Sequence, residues 1–350
     1  MEMARKEFLG SIAGATALAA ASSATGAATA AAPKKANIRR GVSLYSYVGD
    51  FQSDMTLEDC FMEMDDMGAR GLEILSEAHI PDYPNPSNEW VDHWYKMLEK
   101  YRITPAFYSS WLEDTTTPEE TLQHMLRDMR LARKLGFRRM RPKVAGSRVR
   151  PAAGTRVGPG FGSNIDPKWE DWVLKALPYA EKLDVKFAPE IHEPTMLNSQ
   201  VVQDIVAFCQ KTKTEHFGMQ IDTGIFSTRR ARLGDSAFES EPDPEREKRY
   251  MAMMAGGQSG RQQSTPSQPK ELMQVLPYTI SFHFKFWEML DDFTEYSIPF
   301  DGIVAALKEG GYDGWVCSEY EGPRTQGLAS LQLRRQHVML KRLLGEYENA

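Results

Sequence analysis

The chain has little cysteine, no surplus of positive charge, no long apolar run and no dinucleotide-binding glycine pattern. Each absence removes a class of function. Cys60, Cys209 and Cys317 are the three cysteines in 350 residues. Odd in number, far apart and set in apolar contexts, they read as small buried hydrophobes rather than a disulfide or zinc framework. The formal net charge is -6, and the basic clusters (Arg138-Arg139-Met-Arg141, Arg229-Arg230, Arg334-Arg335) are short and scattered. That leaves no footprint for nucleic acid and favours a small-molecule partner. The apolar segment from Phe8 to Ala21 is too short for a stable membrane span. No Gly-x-Gly-x-x-Gly follows the first strand-like run, which argues against a doubly wound nucleotide-binding sheet.

Residues 1–32 differ in composition from the rest. Arg5-Lys6 precedes Phe8-Leu-Gly-Ser-Ile-Ala and a run of Ala, Thr, Ser and Gly. This pattern predicts an export signal of twin-arginine type, with Lys6 in place of the second arginine, and hence a periplasmic or secreted protein. A chain whose signal does not function stays in the cytoplasm.

From residue 38 to 347 the pattern predicts one α/β domain. Short apolar runs alternate with segments of helical period, and eight runs qualify as strands: Gly41 to Tyr47, Gly71 to Leu75, Ile103 to Tyr108, Phe137 to Lys143, Val185 to Glu190, Phe217 to Asp222, Tyr278 to Lys285 and Gly314 to Glu319. Thr56-Leu-Glu-Asp59 and Thr117-Pro-Glu-Glu120 carry helix-start signals, and Gly68, Gly136 and Gly310-Gly311 sit where helices should stop. Eight such units predict a single (β/α)8 TIM barrel with its chemistry at the carboxyl ends of the strands. Residues 229–270, polar and without apolar period, read as a flexible insertion after strand six. The glycine-rich segment from Val144 to Asn164 reads as a loop over the same mouth.

Four strand ends carry metal-binding side chains: Glu190, Asp222, His283 and Glu319. The spacings from Glu190 to Asp222 and from His283 to Glu319 each match one strand-helix unit of roughly 30 residues, and Asp222 to His283 does not fit because the polar stretch from Arg229 to Lys270 lengthens it. Three carboxylates and an imidazole form a hard set that repels itself unless a divalent cation is present, and the mix suits Mn²⁺, Mg²⁺, Co²⁺ or Zn²⁺. His192, two residues past Glu190, is placed by alternation to act as a base or to orient Glu190. Lys143 and Lys285, at ends of apolar runs, are candidates to contact sugar hydroxyls or a developing oxyanion. Glu73, His79, Glu321 and Arg324 could border the pocket. Tyr45, Tyr108, Phe226 and Trp287 could form an apolar platform for a sugar face or an aglycone, though such residues pack into cores as readily.

Glu190-Ile-His192-Glu-Pro-Thr195, Ile221-Asp-Thr-Gly-Ile-Phe226, Lys285-Phe-Trp287, Ser318-Glu-Tyr-Glu-Gly322 and Arg334-Arg-Gln-His337 resemble the xylose-isomerase-like TIM-barrel family of sugar isomerases and epimerases. Within it they are most similar to the catalytic α subunits of C-glycoside deglycosidases. The resemblance implies a divalent metal, often manganese, on Glu190, Asp222, His283 and Glu319, with His192 in proton transfer. It further implies a lyase acting on a 3-oxo-glycoside, with an isomerase or epimerase as the alternative. A small accessory β subunit, or a homo-oligomer, is the implied assembly.

Overall fold

A computed structural model describes residues 35–50, 55–110, 118–142, 169–228, 265–295, 297–323 and 327–347. Parallel strands in the order β5-β4-β3-β2-β1-β9-β8-β7-β6 form its one sheet. They are β1 (Asn37–Ser43), β2 (Gly71–Leu75), β3 (Thr104–Ser109), β4 (Arg139–Arg141), β5 (Lys186–Phe187), β6 (Glu190–Ile191), β7 (Met219–Asp222), β8 (Thr279–Phe286) and β9 (Asp313–Tyr320). The two ends of this ladder are consecutive in the chain. Phe187 pairs with Met140 of β4 on one side and bridges to Phe217 on the other, so the sheet curls into a closed barrel. β5 and β6 are the fifth expected strand, interrupted at Ala188-Pro189 because proline has no N–H for the ladder. The single (β/α)8 barrel read from the sequence is therefore the architecture observed.

Strand β1 begins four residues earlier than the apolar run suggests, and Leu44–Tyr47 form a 3-10 turn instead of more strand. Arg39 and Arg40 made the true start look polar. Arg39 stacks on the Trp315 ring at 4.9 Å, and Arg40 donates to His337 Nδ1 (2.7 Å), to the Met67 carbonyl and to Glu346. Both charges are thereby compensated within a strand.

The long helices are α1 (Leu57–Met67), α2 (Asn88–Lys100), α3 (Pro118–Lys134), α4 (Trp169–Leu183), α5 (Gln200–Thr212), α6 (Phe300–Glu309) and α7 (Leu328–Leu344). Thr56 and Asp59 form the expected capping box on α1, and Gly68 ends it at φ 68°, where a side chain would be strained. Outward-facing strand residues pack against the inner stripes of these helices. Trp94 of α2 lies edge-on to Phe61 of α1 at 5.7 Å and tilted against Phe137 at 5.9 Å, its indole N–H donating to the Leu135 carbonyl. Burying side chains of this size contributes about 2–3 kcal/mol each.

The expected insertion falls mostly outside the described residues, as do residues 1–32 and the segment from Val144 to Asn164. Its last residues are part of the packed barrel. Ser267 is buried, its N–H donating to the Ile225 carbonyl and its hydroxyl accepting from the Leu197 N–H. The described residues contain no helix long and apolar enough to cross a membrane.

Candidate metal centre

Parity along the parallel strands decides which side chains enter the barrel, because paired residues share a face. Asp222 pairs with His283, His283 with Cys317, Lys285 with Glu319, and Glu190 with Gln220. All of these face inward near the carboxyl ends. One ligand atom from each of Glu190, Asp222, His283 and Glu319 falls within 4.8 Å of all the others. The sequence separated them across four strands, and the fold gathers them.

Their contacts are dense. His283 Nδ1 lies 2.5 Å from Glu190 Oε1 and 3.4 Å from Glu319 Oε2. Its Nε2 lies 2.7 Å from both oxygens of Glu73. Arg141 donates to Glu190 Oε2. Lys285 donates to Asp222 Oδ2 and to Glu321, at 2.9 Å each, and the Gly224 N–H donates to Asp222 Oδ1 at 2.7 Å.

Charge explains the strain in protonation. Burial alone would raise Glu190, but the Arg141 guanidinium and then the His283 ring outweigh it and hold the carboxyl well below the usual range. Burial pushes Glu319 up to about 8, with His283 and Lys285 opposing. Burial would depress His283, yet Glu319, Glu73 and Glu190 together raise it well above an ordinary imidazole. Five carboxyl groups (Glu73, Glu190, Asp222, Glu319, Glu321) face two permanent cations (Arg141, Lys285), and the raised His283 and Glu319 answer that acidic excess with protons that a divalent cation would displace. Three carboxylate oxygens and an imidazole nitrogen converging under that excess fit a divalent cation of oxygen and nitrogen preference. The four residues could hold one.

The other sequence candidates separate into groups. Lys285 and Glu321 join the cluster. His192 is half-buried beside Glu190, its Nδ1–H donating to the Glu193 carbonyl at 2.6 Å. A carbonyl only accepts, so Nδ1 carries the proton and a neutral His192 presents its lone pair at Nε2. Tyr45 is half-buried in the turn after β1, and Trp287 packs partly buried against the core. Lys143 and Arg324 lie outside the described residues.

Four further candidates are buried. Tyr108 does not line the mouth: its neighbour Ser109 faces inward to Glu73, so Tyr108 faces the helices and packs edge-on against Phe137 at 5.8 Å. Phe226 is fully buried in the core, in the 3-10 turn after β7. His79 turns back on its own helical turn, donating from Nδ1 to the Leu75 carbonyl, and burial lowers its pKa to about 4. Glu73 is completely buried and faces the cluster, its carboxylate meeting His283 Nε2. Sequence reasoning also passed over Arg141, which it took for part of a scattered basic cluster. The alternation Arg139-Met-Arg141, two charges on one strand face, was the available signal.

Residues 61–337 match the xylose isomerase-like TIM barrel family. The chain belongs to that family. Two curated relatives span nearly its whole length. The C-glycoside deglycosidase alpha subunit of Arthrobacter globiformis is 22% identical, over 89% of this chain and 94% of the relative. The 3'-dehydrocarminate deglycosidase alpha subunit of a Microbacterium species is 22% identical, over 89% and 96%. Among solved structures, the D-psicose 3-epimerase of Clostridium cellulolyticum H10 with D-tagatose superposes at a TM-score of 0.54. It is 14% identical and covers 87% of this chain and 98% of that one, a likeness of fold.

Proposed function

We propose that this xylose isomerase-like protein is a metal-dependent lyase that cleaves a 3-oxo-glycoside by β-elimination. The observation that carries the reading is the convergence of Glu190, Asp222, His283 and Glu319 on one point at the barrel mouth. Sugar-modifying relatives over nearly the full length support it, and the name of one specifies a 3'-dehydro substrate.

In this reaction the C2–H bond breaks, a C1=C2 double bond forms, and the bond from C1 to the aglycone breaks, the aglycone leaving with a proton. A divalent cation, Mn²⁺ first among the candidates, would supply positive charge against the C3 ketone oxygen as C2 loses its proton. His192 takes that proton at Nε2, with its ring held by the Glu193 carbonyl. Lys285, fixed between Asp222 and Glu321, presents its ammonium to sugar hydroxyls on the more open side of the cluster. Lys143 remains a proposed second cation at the mouth.

The alternative is an isomerase or epimerase that begins with the same proton removal. The carboxylates of Glu190 and Glu319 flanking His283 Nδ1 favour it, because a second acid/base is within the cluster. Incubation of Mn²⁺-loaded protein with a 3-oxo-glucoside in deuterated water, followed by NMR, separates the two. Release of the enone and aglycone is expected, and His192→Ala lowers it by about 100-fold or more. A deuterated sugar with its aglycone retained would replace the lyase by the epimerase. Inertness toward every keto-sugar would sink both. Because the curated relatives are named alpha subunits, we extend the proposal to a small second subunit, checked by co-purification. The export reading of residues 1–32 is checked by cell fractionation.

A further inference from the structure

We propose that Glu73 is the positioning residue of the metal centre: from across the barrel it fixes the ring and tautomer of His283. The proposal rests on the metal-dependent reading above. Glu73 sits on β2, which β1 and β9 separate from β8 in the sheet, so its side chain reaches His283 through the barrel interior. Both carboxylate oxygens lie 2.7 Å from His283 Nε2. A carboxylate can only accept there, so Nε2 carries a proton. The opposite nitrogen, Nδ1, is thereby turned toward Glu190 and Glu319, at 2.5 and 3.4 Å.

Glu73 is itself held. The Ser109 hydroxyl donates to its Oε1 at 2.5 Å, and the Gln220 amide lies 3.5 Å from the same atom. Side chain and imidazole are both 0% exposed, so water cannot take over either contact. Glu73 is not one of the four convergent residues, and its carboxylate is used up on the far side of the ring. A metal-bound histidine commonly donates its other N–H to a carboxylate in this way, and loss of that partner weakens the metal by about 10- to 100-fold. No sequence pattern ties Glu73 to His283, because the two are joined only through the lumen.

The test is a Mn²⁺ titration of the full chain, following free ion by electron paramagnetic resonance, for wild type, Glu73→Gln, Glu73→Ala and Ser109→Ala. Glutamine still accepts from Nε2–H, whereas alanine leaves the ring untethered. Affinity is expected to fall by about 10- to 100-fold in Glu73→Ala and by less in Glu73→Gln and Ser109→Ala. Nitrogen-15 NMR of histidine in the Zn²⁺-loaded protein is expected to show the Nε2–H form of His283 in wild type and its loss in Glu73→Ala. Wild-type affinity in Glu73→Ala overturns the positioning role and leaves the metal reading standing. If wild type binds no Mn²⁺, the metal reading falls and takes this proposal with it. Should Glu73→Ala fail to fold, unchanged affinity in both Glu73→Gln and Ser109→Ala overturns the role instead.

Discussion

Arg141→Met is the substitution that most directly probes the charge balance at the mouth. Arg141 ends β4 and donates to Glu190 Oε2, with side chains 17% and 11% exposed. The backbone of β4 does not depend on the guanidinium: Ser110 N–H donates to the Arg141 carbonyl at 3.0 Å, and Ser109 and Arg141 stay in register. Methionine therefore keeps the strand and the stem packing while deleting one charge. Removing one partner of a buried ion pair costs about 3–5 kcal/mol, because the other is left uncompensated. Glu190 keeps its contact with His283 and a little solvent, which puts the loss near the lower end, about 3 kcal/mol. In a barrel of this size that is a melting point lower by about 6 °C.

If Glu190 also holds a divalent cation, the ion replaces the missing guanidinium as its counter-charge. Melts in EDTA and in millimolar Mn²⁺ should then give different deficits for Arg141→Met, the second smaller by roughly half or more. The double variant Arg141→Met, Glu190→Gln removes both charges and should recover most of the stability lost in EDTA. Equal deficits with and without Mn²⁺, or no deficit in EDTA, would refute the argument that Glu190 mediates between the arginine and the ion.

Two further outcomes are expected. Mn²⁺ at 100 times its dissociation constant should stabilise wild type by about 2.7 kcal/mol, and His283→Ala should abolish the shift; a calorimetric melt that is indifferent to Mn²⁺ in wild type counts against the site. Acid should destabilise the protein through His79, whose folded pKa near 4 lies below its unfolded value of about 6.5. The unfolded state then binds a proton that the folded state does not, so stability is present above pH 6.5 and falls by about 1.4 kcal/mol per unit toward pH 4. His79→Gln retains a donor for the Leu75 carbonyl but does not titrate, and its urea midpoint should fall less steeply over that window; identical slopes would refute this.

Much of the site was legible because parity and strand ends coincide. Glu190, Asp222, His283 and Glu319 each close an apolar run, and period two carries each of them inward. What could not be read has specific physical causes. The ladder between β2 and β3 shifts register between Leu72 and Glu73, so that Ser109, not Tyr108, faces inward beside Leu75. No composition pattern signals a shift of that kind. Arg141 looked like scattered charge, and Arg39 and Arg40 hid the start of β1, because their partners, Glu190, Trp315, and His337 with Glu346, are remote in sequence. Pro189 divides the fifth strand where an apolar run promised continuity.

The interior of a barrel of this class is ordinarily filled by layers of bulky apolar side chains. Here the upper layers are ionic, and exposure rises through them in order. His283 and Glu73 are at 0%, Asp222 at 1%, Glu319 at 6%, Glu190 at 11%, Lys285 at 15% and Glu321 at 29%. A molecule entering meets Lys285 and Glu321 first and the imidazole last, with the back of the ring closed by Glu73. Each step of that order offers charged donors and acceptors. On the proposed reading, changes at Lys285 or Glu321 should alter the selection of the sugar, while changes at Glu73 should act through the metal centre.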